Sequence, residues 1–285
     1  MNFTRITGNY SNFRNWLNHR IRIRKKLNII VIDGPGEPIV FLHGIASNTK
    51  VWELVVKPLK GKHKIVLVDL LGFGDSFAPD NIKYNVDEHA YAVIHGLKKA
   101  GIRQPAFFVG HSMGSIIATH IAAIHPKKVL GLVLCSLPIY KRSELSDQKL
   151  RSWQKDSDNA YFRVYRLLRE KKDFAIKTAG VLHKLGIREI ELQEQSWYAF
   201  SESLKNTIEH QSVEADIKKI TVPISIIYGK FDLLVISKHL EDLRKYENVH
   251  VYKTNSRHDL TAGFSHKISQ LVEKFVRDNS SKAGR

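Results

Sequence analysis

The chain has 285 residues, a net charge of +17 and 43% hydrophobic residues. This length is about twice the modal size of a domain, so the chain holds either one large domain or a core with an insert. The ordinary composition excludes a disordered, collagen-like or coiled-coil protein. The single cysteine, Cys135, excludes a disulfide scaffold and a cysteine-rich metal site. No run of the ~18 to 20 apolar residues that span a bilayer is found, nor a secretory signal, so we expect a cytoplasmic protein.

The positive charge is concentrated at the two ends of the chain. Residues 1–30 carry seven Lys or Arg and no acidic residue, and residues 217–285 carry thirteen against seven. A nucleic-acid partner is not expected, because zinc-finger spacing, RNP motifs and a basic zipper are all missing from the sequence. Solvated basic surface is the simplest interpretation. The alternative is that the basic segment, residues 1–28, places its interleaved aromatic and aliphatic side chains on an anionic membrane surface, which would make the protein peripheral to a membrane.

Short apolar runs alternate with helical patterns, which is typical of βαβ units and a largely parallel sheet. The first half of the chain predicts strands at 29–32, 39–42, 65–68, 107–109 and 129–134, with helices at 86–99 and 113–125. The last part predicts strands at 224–228 and 249–252, with helices at 237–246 and 265–277. We therefore predict an α/β fold in which a mostly parallel central sheet has helices on both faces.

Between Pro138 and Asp216 the alternation gives way to long helical patterns without a convincing strand. We interpret residues 138–216 as an inserted helical cap, with residues 29–137 and 217–285 forming the α/β core. The cap is rich in aromatic and aliphatic residues. Most of them should pack the cap helices onto the core, and some should line a substrate pocket, but the sequence does not single those out.

Four successive strands end at loops that contain His43, Asp69, Ser112 and Ser136, and ligands of open α/β sheets bind at that edge. The most informative of these loops is Gly110-His-Ser112-Met-Gly114, a G-x-S-x-G pattern between a buried strand and a helix. This context is that of a nucleophile elbow, in which a side chain at either glycine would collide with its neighbours. The turn should present the Ser112 hydroxyl and leave the Met113 N–H, at the positive end of the helix, able to donate to an oxyanion.

With these motifs the sequence resembles the α/β-hydrolase fold superfamily, in particular its serine hydrolases of the carboxylesterase and lipase type with a helical cap. The resemblance runs from Ile29 to Val276. Its motifs come in the family's order: Leu42-His-Gly-Ile45, Asp69-Leu-Leu-Gly-Phe-Gly-Asp-Ser76, Gly110-His-Ser-Met-Gly114, Tyr228-Gly-Lys-Phe-Asp232 and His258. It implies a catalytic triad in the chain order Ser, Asp, His.

A neutral serine needs a general base, and there are 14 histidines from which to choose. His258 is the one that follows the last strand, where the resemblance expects the base; His266 and His239 remain alternatives. We set His111 aside, expecting its side chain to point away from Ser112. A carboxylate should hold the imidazole in one tautomer, and Asp232, just after a late strand, has the required position.

A tetrahedral intermediate also needs two pre-aimed N–H donors. Met113 supplies one, and the resemblance assigns the other to Ile45, which follows His43-Gly44. Asp69 and Asp75 resemble residues that shape the turn after an earlier strand. We therefore predict Ser112, Asp232 and His258 as catalytic residues and the backbone N–H groups of Ile45 and Met113 as the oxyanion hole.

The function that these residues predict is hydrolysis of a small-molecule carboxylic ester, or of a related acyl compound, through an acyl-enzyme. The resemblance implies no metal and no organic cofactor. Three alternatives remain open: a carbon–carbon hydrolase of ring-opened diketones, an acyltransferase with the same triad, and a non-enzymatic ligand receptor that keeps the hydrolase shape. The sequence does not indicate the acyl chain length, the leaving alcohol or the oligomeric state.

Overall fold

The computed structural model describes residues 27–140, 171–173, 176–177, 192 and 194–280. Almost all of the predicted basic segment, and most of the predicted cap, lie outside these residues. The predictions that fall there concern membrane contact, the cap helices and the pocket side chains that they would provide. Within the described part of the chain, no helix is long and apolar enough to cross a bilayer.

Among the described residues, seven strands form one sheet in the order β1-β3-β2-β4-β5-β6-β7, and only β1 runs antiparallel to its neighbour. They are β1 (Ile29–Ile32), β2 (Ile39–Leu42), β3 (Ile65–Val68), β4 (Ala106–His111), β5 (Val129–Cys135), β6 (Ile224–Gly229) and β7 (Val249–Thr254). The predicted mostly parallel α/β sheet is therefore confirmed, with each strand within three residues of its predicted limits.

Alternate residues of the inner strands enter two separate cores because side chains of a strand point to opposite faces. Val40 of β2 belongs to the core on one face, whereas Ile39 and Phe41 belong to the core on the other. All four residues of β2 are buried. This explains why the inner strands read as continuous apolar runs, as expected for a sheet covered on both sides.

The described α-helices are α1 (Glu53–Val56), α2 (Val86–Lys99), α3 (Met113–Ile124), α4 (Trp197–Ser203), α5 (Val213–Ile217), α6 (Ser237–Glu241) and α7 (Ala262–Ser280). Short 3₁₀ turns lie at Thr49–Trp52, Lys57–Leu59, Pro126–Lys128, Glu194–Ser196 and Asp242–Lys245, and a π-helical turn at Leu204–Glu209. α2 begins at a capping box, because the Asn85 side chain accepts from Glu88 N–H and the Glu88 side chain accepts from Asn85 N–H.

Two helices differ from the sequence prediction at their ends. The helix predicted at 237–246 narrows to a 3₁₀ turn from Asp242, where the Arg244 guanidinium donates to the Val251 carbonyl of β7 and holds the turn against the last strand. The helix predicted at 265–277 begins three residues earlier, since the Thr261 carbonyl already accepts the Ser265 N–H.

The parallel strands all end at one edge of the sheet, and the loops that follow them meet there. Ser112 follows β4 directly, while Asp232 and His258 lie in the loops after β6 and β7. The order of the strands places β6 and β7 on the same side of β4, separated from it by β5. Residues that are 146 positions apart in the sequence are thereby brought to one sheet edge.

Candidate active site

Ser112 occupies a strained turn between β4 and α3. Its backbone has φ 51° and ψ −119°, a combination that non-glycine residues rarely adopt. The Ser112 N–H donates to the Cys135 carbonyl of β5 at 2.9 Å, and the Ser112 carbonyl accepts from the Ser115 N–H at 2.9 Å. These bonds, one to the sheet and one within the helix, fix the turn despite the strain.

The two glycines of the elbow are required by close packing of backbone on backbone. A Cβ at Gly110 would lie 2.5 Å from the Ser115 Cα, and one at Gly114 would lie 2.1 Å from the Leu42 carbonyl oxygen. Both distances are far below van der Waals contact and involve main-chain atoms that cannot move aside. The sequence G-x-S-x-G is therefore the one that lets α3 start this close to β2.

Asp232 and His258 form a partly buried hydrogen-bonded pair. His258 Nδ1 lies 2.9 Å from both carboxylate oxygens of Asp232, so Nδ1 carries the proton and Nε2 is the nitrogen with a free lone pair. The Asp232 side chain is fully buried, whereas that of His258 is 20% exposed. Nε2 is thus the atom of this pair that can accept a proton from another group.

The electrostatics of the pair keep Asp232 ionised. Burial, the largest influence, would raise the pKa of Asp232, but the charge and the hydrogen bond of His258 outweigh it, and the Leu234 N–H also donates to Oδ1 at 2.9 Å. The net effect lowers the pKa of this carboxyl group. The Ser136 hydroxyl, after β5, is buried and forms no hydrogen bond among the described residues.

His258 meets the elbow through the residue next to Ser112. The rings of His111 and His258 have centroids 4.9 Å apart, and His111 Nε2 donates to the His258 carbonyl at 2.9 Å. Within the described part of the chain, the Ser112 hydroxyl forms no hydrogen bond, either to His258 or to another group. Hydrogen bonds of unliganded catalytic sites are commonly long and tighten when substrate binds.

The loop after β2 approaches Ser112 from the other side. A Cβ at Gly44 would lie 3.3 Å from the Ser112 Cβ, so a side chain at this position would crowd the elbow. Ile45 follows directly. Neither the Ile45 N–H nor the Met113 N–H donates to any group among the described residues, which leaves both able to face an oxyanion.

His43 fixes this loop and does not act as a base. It is fully buried, its Nδ1–H donates to the Gly44 carbonyl at 2.7 Å, and its Nε2 accepts from the Leu70 N–H at 2.9 Å. Burial lowers the pKa of His43 to about 4, so the ring stays neutral near pH 7. With both nitrogens used, His43 connects the loop after β2 to the loop after β3.

The alternative bases lie elsewhere. His239, on α6, donates through Nδ1 to the Ile139 carbonyl at 2.8 Å, and His266 is exposed on α7. The rival carboxylate, Asp69, accepts from the Thr49 N–H, the Asn28 amide and the Asp75 N–H, at 2.6, 2.8 and 3.0 Å. Its two oxygens are used up in shaping the turn, as the sequence suggested for this residue.

Two features at this edge of the sheet, of which only the first contacts the proposed triad, were missed by sequence reasoning. One is His111, which turns its ring toward His258; its position inside the G-x-S-x-G motif, next to Ser112, was the available signal. The other is a cleft of about 470 Å³ between the loops after β2 and β3 and the described edge of the predicted cap. Its polar lining includes Asn48, Lys50, Asp75, Ser76, Gln195 and Ser196.

Comparisons with known proteins agree with this architecture. The model of the alpha/beta hydrolase fold family matches residues 37–178, which include the loop after β2 and the elbow. The chain is 26% identical over 227 residues to the pimeloyl-[acyl-carrier protein] methyl ester esterase of Wigglesworthia glossinidia brevipalpis, covering 75% of this chain and 82% of that protein.

A second relative and a solved structure extend the comparison. The 2-hydroxymuconate semialdehyde hydrolase of Pseudomonas sp. (strain CF600) is 36% identical over 107 residues, covering 35% of this chain and 36% of that protein. The structure of an esterase from Exiguobacterium antarcticum superposes with a TM-score of 0.72 at 18% identity, covering 89% of this chain and 96% of that one, and so shows the fold alone. Fold, family model and relatives coincide: the chain belongs to the α/β-hydrolase fold family and is a hydrolase.

Proposed function

We propose that this hydrolase cleaves a small-molecule carboxylic ester with Ser112 as nucleophile, His258 as general base and Asp232 as the residue that orients His258. The observation that carries the proposal is the hydrogen-bonded pair of Asp232 and His258 at the sheet edge where the strained turn presents Ser112. A buried carboxylate on Nδ1 leaves Nε2 basic, and this is the chemistry that a serine nucleophile requires.

The first half of the reaction forms an acyl-enzyme. Ser112 Oγ attacks the carbonyl carbon of the ester while its proton passes to His258 Nε2, and Asp232 stabilises the resulting imidazolium. The carbonyl oxygen becomes negative and is held by the N–H groups of Met113 and Ile45, each worth about 10² to 10³ in rate. The C–O bond to the alcohol then breaks, the alcohol leaves with the proton from Nε2, and the acyl group stays on Ser112.

The second half releases the acid and restores the enzyme. A water molecule gives a proton to His258 Nε2 as its oxygen attacks the acyl carbon, and the same oxyanion donors hold the second tetrahedral intermediate. When that intermediate collapses, the proton returns to Ser112 Oγ and the carboxylic acid departs. One water is consumed for each ester cleaved, and neither step needs an oxidant or a reductant.

We further propose that residues 138–216 form a cap over this edge of the sheet. In the described part, Ala199 of α4 packs against Gly72: a Cβ added to Gly72 would lie 2.4 Å from the Ala199 Cβ. The neighbouring Tyr198 hydroxyl donates to the Ile82 carbonyl at 2.9 Å. α4 is thus seated on the loops that follow β3. A cap over this edge of the sheet would exclude water from the acyl-enzyme until the alcohol has left.

A carbon–carbon hydrolase is the second candidate, and the match to the 2-hydroxymuconate semialdehyde hydrolase supports it. The same triad would serve, with a carbanion as leaving group in place of an alkoxide. Faster turnover of a chromogenic vinylogous diketone than of simple esters would favour this candidate. Acyl transfer is distinguished by the appearance of new esters when an alcohol is added in competition with water.

Peripheral binding to an anionic membrane through residues 1–28 is a separate proposal that rests on the charge of that segment. Seven basic residues within the first 30, with no acid among them, would be attracted to anionic lipid. We expect co-sedimentation with anionic vesicles, lost in neutral vesicles and after deletion of residues 1–20. Equal sedimentation of the full and shortened chains would contradict it.

The proposed esterase is tested with p-nitrophenyl esters from acetate to palmitate, comparing the wild type with Ser112→Ala. The dependence of the rate on acyl chain length indicates the size of the acyl pocket. We expect kcat of Ser112→Ala to fall by at least about 10³-fold, because the nucleophile is removed. A thiol variant, Ser112→Cys, controls for folding of the elbow. Unchanged turnover in Ser112→Ala would show that another residue carries the reaction.

A further inference from the structure

His111 is a buried histidine that the proposed chemistry does not use. It is the last residue of β4, is 4% exposed, and donates its Nε2–H to the His258 carbonyl at 2.9 Å. A carbonyl oxygen only accepts, so the tautomer of His111 is fixed with the proton on Nε2. The hydrogen bond connects the elbow to the backbone of the residue that supplies the proposed base.

The remaining sides of the His111 ring contact other parts of the site. Its Nδ1 would lie 3.3 Å from a Cβ at Gly44, and the Trp52 ring stands edge-on to it with centroids 6.4 Å apart. One imidazole therefore touches the loop after β2, the elbow after β4 and the loop after β7. These are the loops that hold the proposed oxyanion donor, nucleophile and base.

The charge state of His111 suits this place. Burial, together with the neighbouring His258, lowers the pKa of His111 to about 3. The ring remains a neutral donor while His258 gains and loses its proton. A second cation at 4.9 Å would oppose the imidazolium that the proposed mechanism forms on His258.

We propose that His111 is a positioning residue that holds His258 in reach of Ser112 by donating Nε2–H to the His258 carbonyl. This inference rests on the proposed function of Ser112 and His258. Its physical basis is that a displacement of about 1 Å in a catalytic group costs about 10²-fold in rate. His111 itself does not touch the reacting atoms, and its effect passes through the position of His258.

The test compares two substitutions that separate the hydrogen bond from the ring. His111→Gln can place an amide N–H where Nε2–H stood, whereas His111→Phe keeps a ring but has no donor. His89→Phe is the matched control, because His89 is likewise fully buried with a pKa lowered to about 3, but it bonds to the Ser203 hydroxyl at 3.0 Å. Should the phenylalanine variant not fold, His111→Asn replaces it, since its amide is too short to reach the carbonyl.

Two readouts are taken under conditions where melting curves show each variant folded. The first is the rate at which a fluorophosphonate labels Ser112, located by mass spectrometry, which needs no knowledge of the natural substrate. The second is hydrogen–deuterium exchange of peptides covering residues 255–261. We expect His111→Phe to label about 10²-fold more slowly and to exchange faster in this segment, and His111→Gln to resemble the wild type. The His89 control should label at the wild-type rate.

Wild-type labelling by His111→Phe, or an equal loss in the Gln and Phe variants, would overturn the inference. If the wild type is not labelled at all, the proposed function fails, and the exchange measurement alone decides the role of His111. Faster exchange in the Phe variant but not in the Gln variant then supports positioning of the His258 loop. Unchanged exchange in both variants overturns it.

Discussion

In the described part of the chain, two histidines form hydrogen bonds to aspartates, and these two arrangements differ in one respect. His258 contacts a carboxylate through Nδ1 and has Nε2 free, whereas His120 on α3 has Asp216 at Nδ1, 2.8 Å away, and Asp87 at Nε2, 2.9 Å away. A histidine bonded to carboxylates at both nitrogens has no lone pair for a substrate proton. The comparison teaches that a free nitrogen, rather than a nearby aspartate, distinguishes a candidate base from a structural clamp.

The His120 cluster joins three elements of the core and the predicted cap. Asp87 belongs to α2, His120 to α3 and Asp216 to α5, and the Ser212 hydroxyl also donates to the Asp216 carboxylate at 2.6 Å. The opposite ends of the imidazole therefore hold two helices to a third. Substitutions in this cluster should lower the free energy of unfolding, whereas substitutions in the pair of Asp232 and His258 should lower the rate of catalysis.

The largest difference is expected when the aspartate of each pair is replaced. Asp232→Asn leaves the shape of the side chain but removes the charge that fixes the His258 tautomer, so kcat for ester hydrolysis should fall by up to about 10⁴. Asp216→Asn should leave kcat of the folded enzyme within about twofold. Steady-state kinetics on the best p-nitrophenyl ester measures both, and equal losses in the two variants would remove the distinction.

The second prediction concerns stability. His120→Gln loses a charge-assisted hydrogen bond to at least one carboxylate, which should lower the free energy of unfolding by about 1.5 to 3 kcal/mol. Urea denaturation followed by circular dichroism measures the change. His125→Gln, at the residue that follows the end of α3 and with a less buried side chain, is the matched control and should alter the free energy of unfolding by under about 0.5 kcal/mol.

The sequence predicted the site of Asp232 and His258 more completely than the His120 cluster, for physical reasons. Strand and helix positions followed from apolar periodicity because burial on two faces dictates it, and the elbow followed because only glycine fits at Gly110 and Gly114. The partners of His120 could not be predicted, because nothing in the sequence pattern of α3 indicates that this side chain contacts Asp87 and Asp216, which are 33 and 96 positions away. The orientation of His111 was missed for the same reason, because its ring is bonded to the His258 carbonyl and lies beside Trp52, both of which are distant in sequence.

The third prediction is the pH dependence of stability. Burial would lower the pKa of His120, but its hydrogen bonds to the carboxylates of Asp216 and Asp87, with their negative charges, outweigh burial and raise the pKa above 6.5. A raised folded pKa contributes stability that is fully present below pH 6.5 and is lost as the pH rises through the folded value. Urea unfolding between pH 6 and 9 should show this decline in the wild type and its absence in His120→Gln. Parallel curves for the two proteins would contradict the assignment.

The same linkage acts in acid with the opposite sign. Burial would raise the pKa of Asp216, but its hydrogen bonds to His120 and Ser212 lower it below 3.8. A lowered folded pKa contributes stability that is present above pH 3.8 and is lost as the pH falls through the folded value. Acid unfolding of Asp216→Asn should therefore be less steep below pH 4 than that of the wild type.

The smallest effect on stability is expected at Lys219, on the exposed side of the His120 cluster. Lys219 Nζ lies 3.8 Å from Asp216 Oδ1, but its side chain is 62% exposed and the pair is screened by solvent. Lys219→Ala should change the free energy of unfolding by no more than about 0.5 kcal/mol. A loss as large as that of His120→Gln would mean that the lysine, and not the imidazole, neutralises the buried carboxylate.

The most direct test of the account compares fluorophosphonate labelling of Ser112 in His258→Gln and His120→Gln, both assayed where they are folded. If His258 activates Ser112, the first variant should label at least about 10²-fold more slowly than the wild type and the second at the wild-type rate. Labelling of Ser112 at an unchanged rate in His258→Gln would contradict the claim that this histidine is the base of the site.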